Sequence, residues 1–210
     1  ILNEIQSLPK GILFWRSFTH WVGGMGFLIF ILALMPSFNG NTIHLLKAES
    51  PGPTPGKIVP KIKETAKILY IIYFVLTVAE VICLKIAGLS LYDSVIHALG
   101  TAGTGGFSNM NASVAAFNSP AVEWIITIFM LICSVNFSIY FLLLVKKPKE
   151  ALLNDELRYF LVIVFTAALL IALNIQSDFG SFGEAFQCAI FQVASIVSTT
   201  GYGTVDFNLW

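Results

Sequence analysis

Two short segments rich in threonine and glycine contain the residue types in this sequence that could do chemistry. They are loop A, Thr104-Gly105-Gly106-Phe107-Ser108, and loop B, Thr199-Thr200-Gly201-Tyr202-Gly203. Glycine adopts left-handed backbone dihedrals at little cost, so successive carbonyl oxygens can turn toward one side. A ring of such oxygens can replace the water shell of a monovalent cation. The two loops therefore predict a cation filter, with the aromatic side chain packed behind each loop and a threonine hydroxyl at its inner mouth.

The setting of the two loops strengthens this prediction. Gly201 follows Gly106 by 95 positions, and each loop comes directly after a short apolar run, 91–102 or 182–197. Runs of this length are more often buried or re-entrant than spanning. A helix over each run would point the negative end of its dipole at the loop, where a cation would sit. The alternative is a pair of glycine turns that only connect helices.

The elements that must position these loops are predicted to be membrane helices. Hydrophobic residues make up 56% of the 210 residues and charged residues only 11%, against about a quarter charged in soluble domains. A helix that spans a bilayer needs roughly 20 apolar residues. Four stretches meet or approach that length, namely 12–35, 68–87, 121–145 and 159–173.

The basic residues predict which side of the membrane each connector faces. Nine of the twelve Lys and Arg residues lie in or beside the connectors after the first and third stretches: Lys47, Lys57, Lys61, Lys63, Lys67, Lys146, Lys147, Lys149 and Arg158. Connectors rich in Lys and Arg stay cytoplasmic. Segments 108–120 and 174–184 contain neither residue and are predicted to face outward. This topology is consistent only if both short runs return to the side from which they enter.

Charge and motif content argue against other classes of protein. The net charge is zero, whereas a nucleic-acid partner calls for a basic face. We find no HExxH motif, no paired carboxylates in a polar cluster and no Ser, His and Asp set on adjacent spans, so no enzyme is predicted. A membrane enzyme or scaffold whose glycine loops only turn the chain remains a distant alternative. The three cysteines are predicted to be reduced and to bind no metal: Cys83, Cys133 and Cys188.

The sequence resembles the TrkH family of the Trk/Ktr/HKT superfamily of K⁺ transporters over nearly all of its length. Besides the two loops, the resemblance rests on Trp15-Arg16-Ser17 with Trp21-Val22-Gly23-Gly24-Met25-Gly26, Glu49-Ser50-Pro51-Gly52-Pro53, Tyr92-Asp93 with His97-Ala98, Asn136-Phe137, and Asp155-Glu156-Leu157-Arg158. It implies uptake of K⁺ across a plasma membrane, here a bacterial inner membrane, by a multi-pass protein. A Na⁺-permeable or Na⁺-coupled relative is the alternative within the superfamily.

The resemblance also implies a fold and partners. The fold class is an all-α membrane protein of tandem helix, pore-helix, filter-loop, helix repeats, K⁺ channel-like and pseudo-fourfold in the full-length protein. Residues 1–36 would be the last helix of repeat 1, 37–66 a cytoplasmic connector, 67–147 repeat 2, and 148–210 repeat 3 to just beyond its filter. Two loops do not encircle an ion, so we expect this stretch not to conduct alone. A homodimer with a cytosolic nucleotide-binding regulatory subunit is implied.

The site residues are those of the two loops. The K⁺ filter is assigned to Thr104, Gly105, Gly106, Phe107, Thr199, Thr200, Gly201, Tyr202 and Gly203. Other polar residues in apolar stretches are predicted to be structural. Glu80 is expected to be protonated or hydrogen-bonded between helices, Asn136 to bond across helices, and His97 to bond backbone behind the loop. Close helix packing is predicted for the small residues Gly23, Gly24 and Gly26.

Overall fold

The described part of the chain is built from helices joined by loops. The structure is a computed structural model, and it describes residues 4–24, 26, 62–144 and 146–205. Its helices are α1 (Lys10–Gly24), α2 (Ile62–Ile86), α3 (Leu91–Ala102), α4 (Pro120–Ser134), α5 (Phe137–Leu144), α6 (Pro148–Leu152), α7 (Asp155–Ile175) and α8 (Phe182–Val197). Two 3₁₀ segments, Ser113–Phe117 and Gln176–Asp178, complete the described elements, which include no strand. The all-α prediction is confirmed.

Two of these helices are long and apolar enough to cross a membrane. The candidate spans are Lys67–Ile86 in α2 and Asp155–Asp178, which is α7 with its 3₁₀ extension. Each helix carries a stripe of exposed apolar side chains at helical spacing: Ile71, Phe74, Val78 and Ile82 on α2, and Val162, Phe165, Leu169 and Leu173 on α7. Such stripes suit contact with lipid or with further apolar helices.

The first predicted span is described only in part. Helix α1 covers Lys10–Gly24, and residues 25 and 27–35 of the stretch lie outside the described residues. The predicted connector, 37–66, also lies outside them, except that α2 begins at Ile62. The side assigned to that connector from its lysines therefore stays a prediction.

The third predicted span is not one continuous helix, so that prediction is wrong. Helix α4 ends at Ser134, Val135 is extended, and α5 begins at Phe137. The Ser134 hydroxyl donates to the Leu131 carbonyl at 2.9 Å, a local bond of the kind that competes with helix continuation. At the break, Asn136 Nδ2 donates to Glu156 Oε2 of α7 at 3.2 Å, which confirms that Asn136 bonds across helices.

The two short helices begin in the same way. Ser90 Oγ accepts from the Asp93 N–H at the start of α3 (3.1 Å), and Ser181 Oγ accepts from the Glu184 N–H at the start of α8 (3.3 Å). A serine N-cap satisfies an N–H group that the helix cannot. Both helices are largely buried among the longer ones: α3 contacts α1, α2 and α4, and α8 contacts α4 and α7.

Helix α1 lies directly against the end of α3. A Cβ on Gly24 would stand only 2.7 Å from the Gly103 Cα, a distance that backbone atoms do not tolerate. The prediction of close packing is thus confirmed at Gly24. A Cβ on Gly23 would meet none of the described atoms within 4 Å. This contact places α1 beside the point where loop A begins.

Candidate cation-filter loops

Loops A and B repeat one backbone conformation at the predicted offset. The φ angle is +51° at Thr104 and +57° at Thr199, and it is +62° at Gly106 and +89° at Gly201. Positive φ is uncommon for a β-branched residue, so contacts around each loop must hold its threonine in place. The predicted left-handed conformation is therefore present at Gly106 and Gly201. Each loop has a second left-handed residue, its first threonine.

The N–H groups of both loops turn back to the helix before them. Gly105 and Gly106 both donate to the Gly100 carbonyl, at 2.8 and 3.4 Å. At the equivalent positions of loop B, Thr200 and Gly201 both donate to the Ser195 carbonyl, at 2.9 and 3.3 Å. The N–H and C=O groups of one trans peptide unit lie in its plane and point in opposite directions. The carbonyls of the preceding residues therefore point away from the helices; these are the carbonyls of Thr104, Gly105, Thr199 and Thr200.

The described residues leave the first four carbonyls of loop A and the first three of loop B without a donor. These are the carbonyls of Thr104, Gly105, Gly106 and Phe107 and of Thr199, Thr200 and Gly201. The remaining carbonyls are occupied: Ser108 O accepts from Arg16 Nη2 at 2.6 Å, Tyr202 O from Ser195 Oγ at 2.7 Å, and Gly203 O from the Ala115 N–H at 3.3 Å.

The two loops lie side by side at these same residues. A Cβ on Gly106 would overlap the carbonyl oxygen of Thr200 and would stand 2.9 Å from the Gly201 carbonyl carbon. Glycine at 106 is thus required both for its dihedrals and for the approach of loop B. An open cleft of ≈ 560 Å³ borders loop A, and it is lined by Thr19, His20, Gly23, Gly24, Gly103 and Thr104.

The aromatic residues of the two loops are held differently. Tyr202 is 2% exposed and stacks on the His97 ring at 5.6 Å, and its hydroxyl donates to the His97 carbonyl at 3.1 Å. The predicted packing behind the loop is confirmed for Tyr202. Phe107 is only partly buried and contacts two side chains of α1, with the Arg16 Cζ 4.7 Å from its ring centroid and the His20 ring edge-on at 5.0 Å.

His97 has the structural position that was predicted for it. Its Nδ1 lies 2.8 Å from the Asp93 carbonyl and its Nε2 lies 3.0 Å from Ser108 Oγ. A carbonyl can only accept, so Nδ1 carries the proton and Nε2 accepts from the serine hydroxyl. His97 therefore ties the exit of loop A to α3.

Sequence reasoning missed Arg16, which contacts loop A from a helix far away in the chain. The available signal was a basic residue inside an apolar stretch, since such a residue is a candidate functional group by default. Glu80 is likewise a charged residue type inside an apolar stretch, but it is not part of either loop. It is fully buried, and its carboxyl oxygens have no hydrogen-bond partner among the described residues.

Short buried helices that end in paired glycine loops, set among helices with apolar outer faces, are the architecture of all-α membrane transporters. Comparison with known proteins gives the family. The whole chain, residues 1–210, matches the TrkH family, described as "Cation transport protein". The chain belongs to that family.

Curated relatives carry related names. The chain is 37% identical to the "Trk system potassium uptake protein TrkH" of Vibrio parahaemolyticus and 30% identical to the "Trk system potassium uptake protein TrkG" of Escherichia coli. In both comparisons the match covers 100% of this chain and 44% of the relative. The chain thus spans less than half the length of these relatives, which are transport proteins and not enzymes.

A solved structure agrees with the fold. The crystal structure of the potassium transporter TrkH from Vibrio parahaemolyticus matches with a TM-score of 0.81 at 34% identity. The match covers 98% of this chain and 42% of that one. The fold is therefore that of an all-α membrane transporter.

Proposed function

We propose that this chain supplies part of the ion path of a K⁺ uptake protein. In this proposal the carbonyls of Thr104, Gly105 and Gly106 in loop A and of Thr199, Thr200 and Gly201 in loop B bind K⁺. The observation that carries it is the repeated backbone of two adjacent loops, each with at least three successive carbonyls that accept from no described residue. Oxygens of this kind are the ligands that replace the water shell of K⁺.

The other assigned residues then act as supports. The Tyr202 carbonyl bonds Ser195 and the Gly203 carbonyl bonds Ala115, so neither faces an ion in this proposal. Phe107 and Tyr202 hold the outer part of each loop through their rings. The carboxyl ends of α3 and α8 run into the loops, and the negative ends of their dipoles favour a cation there.

We also propose the arrangement of the complete protein. Residues 67–147 and 148–210 form two of four repeats around one ion path, and 1–36 belong to the repeat before them. The share of each relative that the chain covers, 44%, supports this proposal. By resemblance, the complete protein is a multi-pass homodimer of the bacterial inner membrane with a nucleotide-binding regulatory partner. Co-purification of that partner, and the mass of the purified complex, test these assignments.

Ion flux into liposomes tests the filter. The complete protein carrying this sequence is reconstituted as wild type, Gly106→Ser and Gly201→Ser, and uptake of K⁺, Rb⁺ and Na⁺ is compared. We expect the wild type to prefer K⁺ and Rb⁺ and both variants to lose that preference, because serine disfavours the positive φ at each site. Gly106→Ser should be the more severe, since its side chain also meets loop B.

Gly88→Ser is the matched control. Gly88 also has a positive φ, +103°, but a Cβ there would meet none of the described atoms within 4 Å, and it precedes α3. The Gly88→Ser variant should leave the preference for K⁺ over Na⁺ unchanged. Unchanged preference for K⁺ in both loop variants would contradict the proposal. Equal uptake of Na⁺ by the wild type would instead favour a Na⁺-permeable relative.

A further inference from the structure

Arg16 of α1 holds the C-terminal end of loop A. Its Nη2 donates to the Ser108 carbonyl at 2.6 Å, across 92 positions of sequence. Its Cζ lies 4.7 Å from the Phe107 ring centroid, which places the cation over the ring face. A charge-assisted hydrogen bond is shorter and stronger than a neutral one. One partly buried side chain thus fixes both the last carbonyl and the aromatic ring of loop A.

The contact continues from loop A to loop B. Ser108 Oγ bonds His97 Nε2 at 3.0 Å and also accepts from the Met110 N–H at 3.0 Å. The His97 ring stacks on Tyr202, whose hydroxyl donates to the His97 carbonyl. A continuous set of contacts therefore runs from Arg16 through Ser108 and His97 to Tyr202.

Among the described residues, no charged group takes at loop B the place that Arg16 takes at loop A. The residue of loop B equivalent to Ser108 is Gly203, and its carbonyl accepts from a backbone N–H, that of Ala115, at 3.3 Å. The Gly203 N–H donates to Ser113 Oγ at 3.3 Å. Within the described residues the two loops thus share a backbone conformation but differ in electrostatics, with a full positive charge at the end of loop A alone.

We propose that Arg16 is a positioning residue that sets the ion preference of the filter by fixing the Ser108 end of loop A. The proposal rests on the proposed function, since it needs the loops to bind the transported ion. Arg16 binds no ion itself. It holds Phe107 and Ser108, and through them the spacing of the free carbonyls at Thr104, Gly105 and Gly106.

Three variants of the complete protein in liposomes test the proposal through the ratio of K⁺ to Na⁺ uptake. Arg16→Gln removes the charge and the planar fork, and we expect the ratio to fall about tenfold, the factor that loss of one hydrogen bond to a charged group typically produces. Arg16→Lys keeps the charge but not the fork or the stacking geometry, so its ratio should lie in between. Lys10→Gln is the control.

The Lys10→Gln substitution removes one positive charge from the same helix, at a residue that does not contact loop A. Its Nζ lies 5.4 Å from the centroid of the Tyr92 ring, and its side chain is exposed. We expect the Lys10→Gln ratio to equal that of the wild type. A fall in the control equal to that of Arg16→Gln would show a general charge effect and would overturn the proposal.

A second variant covers the case in which Arg16→Gln does not fold. Phe107→Leu removes the ring under the guanidinium and should also lower the ratio. Combined with Arg16→Lys it should add little more, because residues that act through one contact are non-additive. Additive effects would overturn the proposal, and so would lower uptake of both ions at an unchanged ratio. A wild type that moves no K⁺ would instead refute the proposed function.

Discussion

Gly100 lies where α3 meets the aromatic residue of loop B, so a methyl group there tests the contact between the two repeats. A Cβ on Gly100 would overlap the hydroxyl of Tyr202, and it would stand 3.3 Å from both Tyr202 Cζ and the Phe107 carbonyl oxygen. The worst overlap thus involves a single atom that a second substitution can remove. Gly100→Ala and Tyr202→Phe therefore form a pair whose effects should not add.

The magnitudes follow from three terms. Replacing glycine by alanine inside a helix gains about 1 kcal/mol, whereas overpacking a well-filled site costs roughly 1–3 kcal/mol, so Gly100→Ala should be net destabilising by up to about 2 kcal/mol. Tyr202→Phe removes one hydrogen bond to the His97 carbonyl, which also accepts from Thr101 Oγ1 at 2.9 Å. That acceptor stays partnered, so the cost should be about 1 kcal/mol.

The double variant should be more stable than the sum of the single changes by about 1–3 kcal/mol, because it keeps the helix gain and removes the overlap. Thermal unfolding of the wild type and the three variants in detergent measures the coupling, and liposome uptake measures K⁺ over Na⁺. We expect the double variant to recover part of the ion preference that Gly100→Ala loses. Strictly additive losses would refute the reasoning, since Gly100 and Tyr202 would then not be in contact.

Two further predictions concern residues away from the loops. Glu80→Leu should keep or raise the unfolding temperature, because a buried carboxyl without a described partner costs free energy that an apolar side chain of similar size does not. A clear loss of stability together with lower K⁺ uptake would show that the carboxyl has a partner or a transport role. Gly24→Ala should lower the unfolding temperature, since its Cβ would meet the Gly103 backbone. Gly23→Ala should leave the unfolding temperature unchanged. Equal effects of the two substitutions would contradict the close packing of α1 on α3.

Several features of the chain could be predicted because they depend on local sequence. Hydropathy and length predicted α2 and α7 and the two short helices before the loops. The glycines at 106 and 201 predicted the left-handed dihedrals, since few other residues adopt them cheaply. The offset of 95 positions placed the two loops at equivalent points of a repeat, and their positive φ angles occur at that same offset.

The break at Val135 was not visible in an apolar pattern. Hydropathy reports burial in lipid and is continuous across 121–145, whereas the break depends on which carbonyl accepts the Ser134 hydroxyl and on a partner in α7 for Asn136. Likewise, the motif does not show which of the five carbonyls in each loop are free of protein donors. Only their hydrogen bonds separate the carbonyls that accept from the protein from those that do not.

The sequence by itself determined the helical class, the two loops and the conformation at their glycines, because composition, period and backbone preference act within a few residues. The tertiary structure alone decided that Arg16 reaches Ser108, that Tyr202 bonds His97 and that Gly106 meets Thr200. These partners are about 90 to 105 positions apart, and the packing of helices that brings them together leaves no trace in the local pattern around either residue.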